Sequence, residues 1–177
     1  MSAATLDPTP QIALKWRDLA IALAGPAAVG ACIGWSAGAA ALLQMSIMLP
    51  LSFVGVTLAT LPALYVGVAL AGQAPNVQTM LKIASAAQRD LGLILLGLAP
   101  ALLFMCATAT DVHEALVFGT LGVVLGSMVG ARAFYTRFRQ TIPQWQALGI
   151  FALWALLTGG LGWEIYLNIL RTGGQLL

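Results

Sequence analysis

The feature that most constrains this chain is a series of long apolar runs that contain almost no charge. Of its 177 residues, 60% are hydrophobic and only 8% are charged, whereas a soluble domain has roughly 25% charged residues. Backbone groups find no partner in lipid, so a spanning chain must form helices or a closed barrel. The short alternating segments of barrel strands are absent from the sequence. The sequence therefore predicts an all-α, polytopic integral membrane protein.

The apolar runs predict five transmembrane helices. They cover about residues 19–38, 42–70, 91–108, 115–131 and 145–167, and a helix needs about 20 residues to cross the hydrocarbon core. Between the second and third runs, residues 77–90 place apolar and polar side chains on opposite faces, which predicts an amphipathic stretch. We expect residues 1–14 to form a short N-terminal tail and residues 15–177 to form a single transmembrane helical domain.

The positions of the basic residues predict the orientation of these helices. Short cytoplasmic loops are enriched in Lys and Arg. With five spans and a cytoplasmic N-terminus, seven of the eight basic residues fall on the cytoplasmic side and only Arg171 falls outside. We therefore expect a cytoplasmic N-terminus and an external C-terminus. The seven residues are Lys15, Arg17, Lys82, Arg89, Arg132, Arg137 and Arg139.

Small residues mark the predicted sites of close helix packing. Ala and Gly dominate the first span, and small residues let helices approach closely in lipid, so we expect this helix to be internal. In the fourth span Gly122, Gly126 and Gly130 recur at every fourth position. This spacing predicts a packing stripe along one face of that helix.

Prolines predict irregularities in the second and third spans. Pro62 and Pro100 lie deep in apolar runs, where each removes a backbone hydrogen bond and kinks the helix. Pro50 predicts a further kink, or else the start of the second helix. We expect Thr57 or Thr60 to satisfy the carbonyl that Pro62 leaves free. The alternative is that Pro62 or Pro100 divides a span into a re-entrant pair.

Few polar groups are placed for chemistry. His113 is flanked by Asp111 and Glu114, and such a cluster can bind a divalent metal or move a proton. A solvated loop before a helix N-terminus explains the same residues without chemistry, and we favour this interpretation. Glu164 is an ionisable group in an apolar run, which can mark an ion or substrate path. Counting along the fifth span places it at the outer headgroup boundary instead, and Asp90 with its neighbour Arg89 has the same interfacial interpretation.

The remaining composition argues against several classes of function. Cys32 and Cys106 lie in separate apolar runs without a CxxC motif, so we expect neither a disulfide nor a metal cluster. The basic residues stand at segment ends instead of forming a patch that could follow phosphates, which argues against nucleic-acid binding. We expect no catalytic residue, no cofactor and no metal site. The expected partners are the lipid bilayer and other membrane subunits or a second copy of the chain.

The middle of the chain contains four Pro-rich or apolar motifs: Leu49-Pro50-Leu51-Ser52-Phe53, Leu61-Pro62-Ala63-Leu64-Tyr65-Val66, Gln78-Thr79-Met80-Leu81 and Leu98-Ala99-Pro100. With these motifs, roughly residues 45–135 resemble a family of uncharacterised bacterial membrane proteins that are similar in layout to the Rab/Ypt-interacting (Yip) proteins. The resemblance implies five spans with a cytoplasmic N-terminus, no catalytic residues, and a role in membrane organisation or trafficking.

These observations predict a non-enzymatic protein of the bacterial inner membrane. Short loops and a high content of Ala and Gly are typical of a bacterial chain. The Gly-rich packing faces and the lack of paired catalytic groups favour an accessory, scaffold or assembly subunit of a larger membrane complex. The alternative is a small-molecule or ion transporter that uses the Pro-kinked spans, with Glu164 or the Asp111 cluster at its mouth.

Overall fold

The computed structural model describes residues 16–72, 76–140 and 144–174, and this part of the chain contains five helices and no strand. All five helices are long and apolar enough to cross a membrane, which confirms the predicted five-span helical architecture. The predicted tail of residues 1–14 and Lys15 lie outside the described residues. The helices are α1 (Trp16–Trp35), α2 (Ala39–Leu70), α3 (Val77–Thr108), α4 (Val112–Phe138) and α5 (Gln144–Gly174).

Helix α1 lies at the centre of the bundle. It packs against α2, α3 and α4, whereas α5 packs mainly against α2 and meets α4 at only a few points. Helices α1 and α3 run parallel, because Gly25 faces Gly92 and the Cys32 thiol donates to the Ala99 carbonyl at 3.6 Å. The prediction that the small-residue first span is internal is confirmed.

The two ends of the bundle differ in charge. We call one end the basic end; there α1, α3 and α5 begin and α2 and α4 finish. The opposite end carries Asp111, Glu114 and Arg171. The basic residues described at the basic end are Arg17, Lys82, Arg89, Arg132, Arg137 and Arg139.

Three helices extend beyond the apolar runs that predicted them. The amphipathic stretch of residues 77–90 is continuous with the third span in α3, and the Asn76 side chain caps this helix by accepting from the Gln78 N–H at 3.1 Å. Helix α4 continues through the arginine-rich segment to Phe138, and α5 continues to Gly174. Hydropathy detects only the part of a helix that matches the hydrocarbon layer, about 20 residues, whereas the backbone continues its hydrogen bonds into the polar region.

The prolines lie within continuous helices. Pro50 and Pro62 are inside α2, and Pro100 is inside α3, so the re-entrant alternative and a helix start at Pro50 are both wrong. The expected role of the two threonines is wrong as well. Thr57 donates to the Phe53 carbonyl at 2.9 Å and Thr60 donates to the Val56 carbonyl at 2.8 Å. Each threonine hydroxyl donates to the carbonyl four residues earlier in its own helix, because a threonine side chain in a helix can reach that oxygen directly.

The buried side chains form two separate cores. The opposite-end core takes side chains from all five helices, most of them from α1 and α3, and contains mostly aliphatic side chains and cysteine: Val29, Cys32, Ile33, Leu49, Leu91, Leu95, Leu102, Cys106, Ala115 and Tyr166. The basic-end core joins α2, α3, α4 and α5 around four aromatic rings: Leu61, Leu64, Val68, Met80, Ala84, Ala87, Phe134, Phe138, Phe151 and Trp154.

Glycines let α1, α3 and α4 approach closely. A Cβ on Gly25 would lie 2.7 Å from Gly92 Cα, so these two backbones touch without intervening side chains. The predicted stripe on α4 is buried and faces leucines of α3, with Gly122 against Leu102, Gly126 against Leu95 and Gly130 against Leu91. In lipid such contacts stabilise through dispersion, which decays steeply with separation.

Candidate functional site

A cavity of about 340 Å³ lies between the two cores, enclosed by α2, α3, α4 and α5. This volume falls at the lower end of the roughly 300–1,000 Å³ range of small-molecule sites. Its lining is mostly apolar, and no charged side chain of the described residues contributes to it. The polar lining side chains include Ser52, Thr57, Gln88, Ser127, Thr158 and Tyr166.

Small residues on α5 keep this space open. Gly159 and Gly162 line the cavity. A Cβ on Gly159 would meet nothing within 4 Å, and one on Gly162 would first meet Val56 Cγ1 at 4.0 Å. On the far wall, the Gln88 amide donates to the Thr57 hydroxyl and so links α3 to α2. The cavity is therefore maintained by missing side chains on one wall and by a polar bridge on the other.

A lateral window leads from the cavity to the surface between α4 and α5. Towards the opposite end the two helices are joined by a 2.8 Å hydrogen bond between the Thr120 and Tyr166 hydroxyls. Towards the basic end they are joined by Phe134, whose ring stacks on Trp154 with centroids 4.9 Å apart. Fourteen residues of α4 separate these contacts, a helix length of about 21 Å.

Side chains at the window belong to both the cavity and the surface. Val124 and Met128 of α4 line the cavity and are 39% and 65% exposed, and Trp163 of α5 lines it and is 47% exposed. Gly159 of α5 also lines the cavity and is exposed. The cavity therefore opens towards the region that lipid would occupy around the bundle.

Two arginines lie where the window approaches the basic end. Arg132 follows Met128 by one helical turn, and Arg139 follows Arg132 by two turns, so all three share a side of α4. Both arginines are exposed. Neither makes an ion pair within the described part of the chain. Two positive charges without a protein partner thus stand at one end of an apolar opening.

A ladder of four charges connects α1, α3 and α4 at the basic end. Arg89 Nη1 lies 3.6 Å from Asp18 Oδ1, and Arg89 Nη2 lies 3.3 Å from Asp90 Oδ1. Arg137 Nη2 contacts the second Asp90 oxygen at 2.5 Å. Asp90 therefore binds both arginines. The sequence predicted the contact between Arg89 and Asp90, which are two of the four residues. Asp18 and Arg137 join them only because the helices pack together.

The acidic cluster at the opposite end forms a helix cap. The Asp111 side chain accepts from the Glu114 N–H at 2.7 Å, and Glu114 Oε2 accepts from the Thr110 N–H at 2.9 Å and from its hydroxyl at 2.8 Å. These reciprocal bonds satisfy free donors at the start of α4. His113 is exposed beside them. The described residues contain no group of three or more His, Cys, Asp and Glu side chains that could hold a metal ion.

Helix α5 presents an open face to the outside of the bundle. Its apolar stretch is the least buried of the five. Leu153, Leu157, Leu161 and Glu164 follow each other at spacings of three or four residues and are all exposed. Arg171 lies two turns beyond Glu164 and is exposed too. One side of α5 therefore carries a leucine stripe that continues into charged residues.

The structure places Glu164 far from the end of the bundle. Tyr166 is level with Thr120, the ninth residue of α4, so Glu164 lies about 15 Å along the bundle from the first residue of α4. Helix α5 also continues for ten residues beyond Glu164, to Gly174. Counting from the start of the fifth apolar run could not reveal this, because the true helix is longer than the run.

The cavity and the window could not be found from the sequence. Gln88, Thr158 and Gly159 come from separate helices and carry no shared motif, and the small residues of α5 resemble those of any packing face. Comparison of the chain with protein-family models, with curated proteins and with solved structures finds no match.

Proposed function

We propose that this chain is a non-enzymatic subunit of a larger membrane assembly, and that α5 carries its contact surface. The observation that supports the proposal is Glu164, an exposed carboxylate on the open face of the least buried helix. Ionisable residues within membrane helices almost always face the interior of a bundle or a partner. Glu164 faces away from its own bundle, so its partner comes from another chain.

The depth of Glu164 supports this argument. The charged cap at Asp111 and Glu114 belongs at a membrane surface, and Glu164 lies about 15 Å from that level, which is half of the roughly 30 Å hydrocarbon thickness. Helical side chains lean towards the helix N-terminus. In α5 this direction leads to the basic end, so Glu164 does not lean towards the surface marked by Asp111.

The charge of Glu164 favours a partner helix of different sequence over a second copy of this chain. In a two-fold symmetric pair of parallel helices, Glu164 of one copy would face Glu164 of the other. Two like charges in a medium of low dielectric constant repel strongly. The proposed partner is therefore a transmembrane helix that presents a basic or hydrogen-bond-donating side chain at this depth and an apolar face to Leu157 and Leu161.

Site-specific photo-crosslinking tests this surface. A photoreactive residue at Leu157 or Leu161 should capture one and the same membrane protein in native membranes, while the matched position Leu58, exposed on α2, should not. Mass spectrometry should locate the crosslink in an apolar segment that contains Lys, Arg, His or an amide. Glu164→Gln should lower the crosslink yield about 3- to 15-fold, the effect of about 0.6–1.7 kcal/mol for a polar contact between membrane helices.

Other results would contradict the subunit proposal. These include equal capture from Leu58, a yield unchanged in Glu164→Gln, or a crosslink to a second copy of this chain at Glu164. Copurification without a position-specific crosslink would not support the proposal.

We further propose that the basic end faces the cytoplasm of a bacterium, which gives a cytoplasmic N-terminus and an external C-terminus. Support comes from the basic residues, of which only Arg171 among those described lies at the opposite end. For this test Cys32 and Cys106 are first replaced, and one new cysteine is then introduced in place of either Lys82 or His113. An impermeant maleimide should label the His113→Cys chain in intact spheroplasts and the Lys82→Cys chain only after permeabilisation. The reverse pattern would overturn this orientation.

Small-molecule transport is the second candidate, and the cavity favours it. The transporter that the sequence suggests has Glu164 or the Asp111 cluster at its mouth, but neither contributes to the cavity lining. The absence of charged side chains among the described lining residues argues against ion conduction. Vesicles that contain the protein would take up an apolar solute if it is a transporter. Loss of this uptake when a larger side chain at Gly159 fills the cavity would favour transport over the subunit role.

A further inference from the structure

We propose that the window between α4 and α5 is a binding site for one anionic phospholipid, with a single acyl chain in the cavity and the phosphate at Arg132 and Arg139. This site is independent of the partner surface on α5, because the cavity and the leucine stripe lie on different sides of that helix. Three observations carry the proposal: the position of the opening, the depth of the arginines, and the shape of the cavity.

The opening faces the side from which lipid would enter. A solute from water would reach the cavity through an end of the bundle, but Thr120 with Tyr166 and the stacked Phe134 and Trp154 join α4 to α5 on either side of the opening. The exposed lining side chains, Met128 among them, lie on the outer surface of the bundle between these contacts. An apolar molecule that is already in the bilayer enters without crossing water.

The depth of the arginines matches the depth of a headgroup. Twenty residues of α4 separate Val112 from Arg132, a length of about 30 Å, which equals the thickness of the hydrocarbon layer. Arg132 therefore lies at the boundary between hydrocarbon and headgroups when Val112 lies at the opposite boundary. Arg139 lies beyond it, among the headgroups. Both lack an acidic partner in the described chain, so a phosphate would supply the missing counter-charge.

The cavity matches a single acyl chain that descends from that phosphate. The lining positions on α4 extend from Phe134 to Val123, about 17 Å of helix, and one leaflet contributes about 15 Å of hydrocarbon. The apolar side chains of Val124 and Met128 would contact the chain along this path. Gly159 on the facing helix leaves the volume that the chain would fill.

Fluorescence quenching in nanodiscs tests the site directly. Trp154 lines the cavity and is only 7% exposed, so a brominated acyl chain can quench it efficiently only from within the cavity. The test uses a variant with the replacements W16F, W35F, W145F and W163F, so that Trp154 is its single tryptophan. The probe is phosphatidylglycerol with one brominated acyl chain, titrated into unlabelled phosphatidylcholine, and brominated phosphatidylcholine serves as the comparison lipid.

Two neighbouring glycines provide a matched pair of variants. A Cβ at either Gly159 or Gly160 meets nothing within 4 Å, but only Gly159 lines the cavity. G159L should fill the cavity and abolish quenching of Trp154, whereas G160L should retain it. Both variants should keep the helical circular dichroism and the thermal midpoint of the parent chain, which separates loss of the site from loss of the fold.

The arginines provide the second arm of the test. R132Q or R139Q should weaken the phosphatidylglycerol titration roughly fivefold each, since one basic residue near an anionic surface contributes about this factor. The phosphatidylcholine titration should weaken less, because the choline cation offsets the charge of its phosphate. Equal quenching in G159L and G160L would overturn the proposal. So would a Trp154 that no brominated lipid quenches, or a preference for phosphatidylglycerol that survives the double replacement of both arginines.

Discussion

The two cores of this bundle achieve close packing in opposite ways. In the opposite-end core the helices approach until backbones touch, as at Gly25 and Gly92, and small aliphatic side chains fill the rest. In the basic-end core large rings fill the space between the helices, with Phe134, Phe151 and Trp154 in mutual contact. Backbone contact leaves no room for adjustment, whereas rings tolerate some repacking. We infer that the cavity lies beside the ring-filled core because the glycines described between Gly149 and Gly162 of α5 make no close contact with α4.

The largest expected effect comes from adding one methyl group where the two backbones touch. Gly92→Ala places a Cβ 2.8 Å from Ala22 Cα, and because neither backbone can move alone we expect a loss of about 3 kcal/mol in the free energy of unfolding. Gly97→Ala is the matched control in the same helix, since its Cβ meets nothing within 4 Å. It should be neutral or gain up to about 1 kcal/mol from helix propensity. Denaturation by SDS in mixed micelles measures both, and equal values would refute the proposed rigidity of this crossing.

The next effect concerns the charge ladder beside the basic-end core. Asp90→Asn leaves Arg137 and Arg89 without their shared carboxylate, and we expect a loss of about 2 kcal/mol because charged hydrogen bonds of partly buried groups contribute about this amount. Asp18→Asn should cost less than about 1 kcal/mol, since Asp18 makes one longer contact and its side chain is 40% exposed. Thermal unfolding in mild detergent compares the two. A larger loss from Asp18→Asn would reverse the proposed order of importance.

A smaller effect is expected from repacking the rings. Phe134→Leu keeps an apolar side chain of similar length in the basic-end core, so we expect a loss of about 1 kcal/mol. The same replacement enlarges the opening towards the cavity and should raise quenching of Trp154 by brominated lipid. A loss as large as that of Gly92→Ala would remove the contrast between a rigid and an adaptable core.

The smallest effect should come from a position outside both cores. Glu164→Gln in the isolated chain should change the free energy of unfolding by less than about 0.5 kcal/mol, since the side chain is exposed and forms no ion pair with the described residues. The measurement uses the same detergent as for Asp90→Asn. A substantial loss would show that Glu164 stabilises its own bundle, which would remove the main support for a partner at α5.

The sequence was informative where one helix alone determines the outcome. Apolar length predicted five spans, and the content of Ala and Gly predicted the internal position of α1. Properties that arise between helices were not predictable. Asp18, Asp90 and Arg137 are far apart in the chain and form one ladder only because α1, α3 and α4 meet, and Gly159 lines a cavity that a single helix cannot define. The end of α5 was not predicted because the last turns of this helix continue beyond the apolar run.

The connectivity of the bundle also bears on the order of its assembly during synthesis. A chain folds from its N-terminus as it emerges, and α1 contacts the three helices that follow it, so α1 to α4 can complete their mutual packing before α5 has left the ribosome. Helix α5 then has one main surface to join, that of α2, at the far side of the cavity. Its insertion closes one wall of the cavity and exposes the Glu164 face in the same step. A lipid caught in the cavity and a partner captured by α5 would therefore both mark a bundle that α5 has joined.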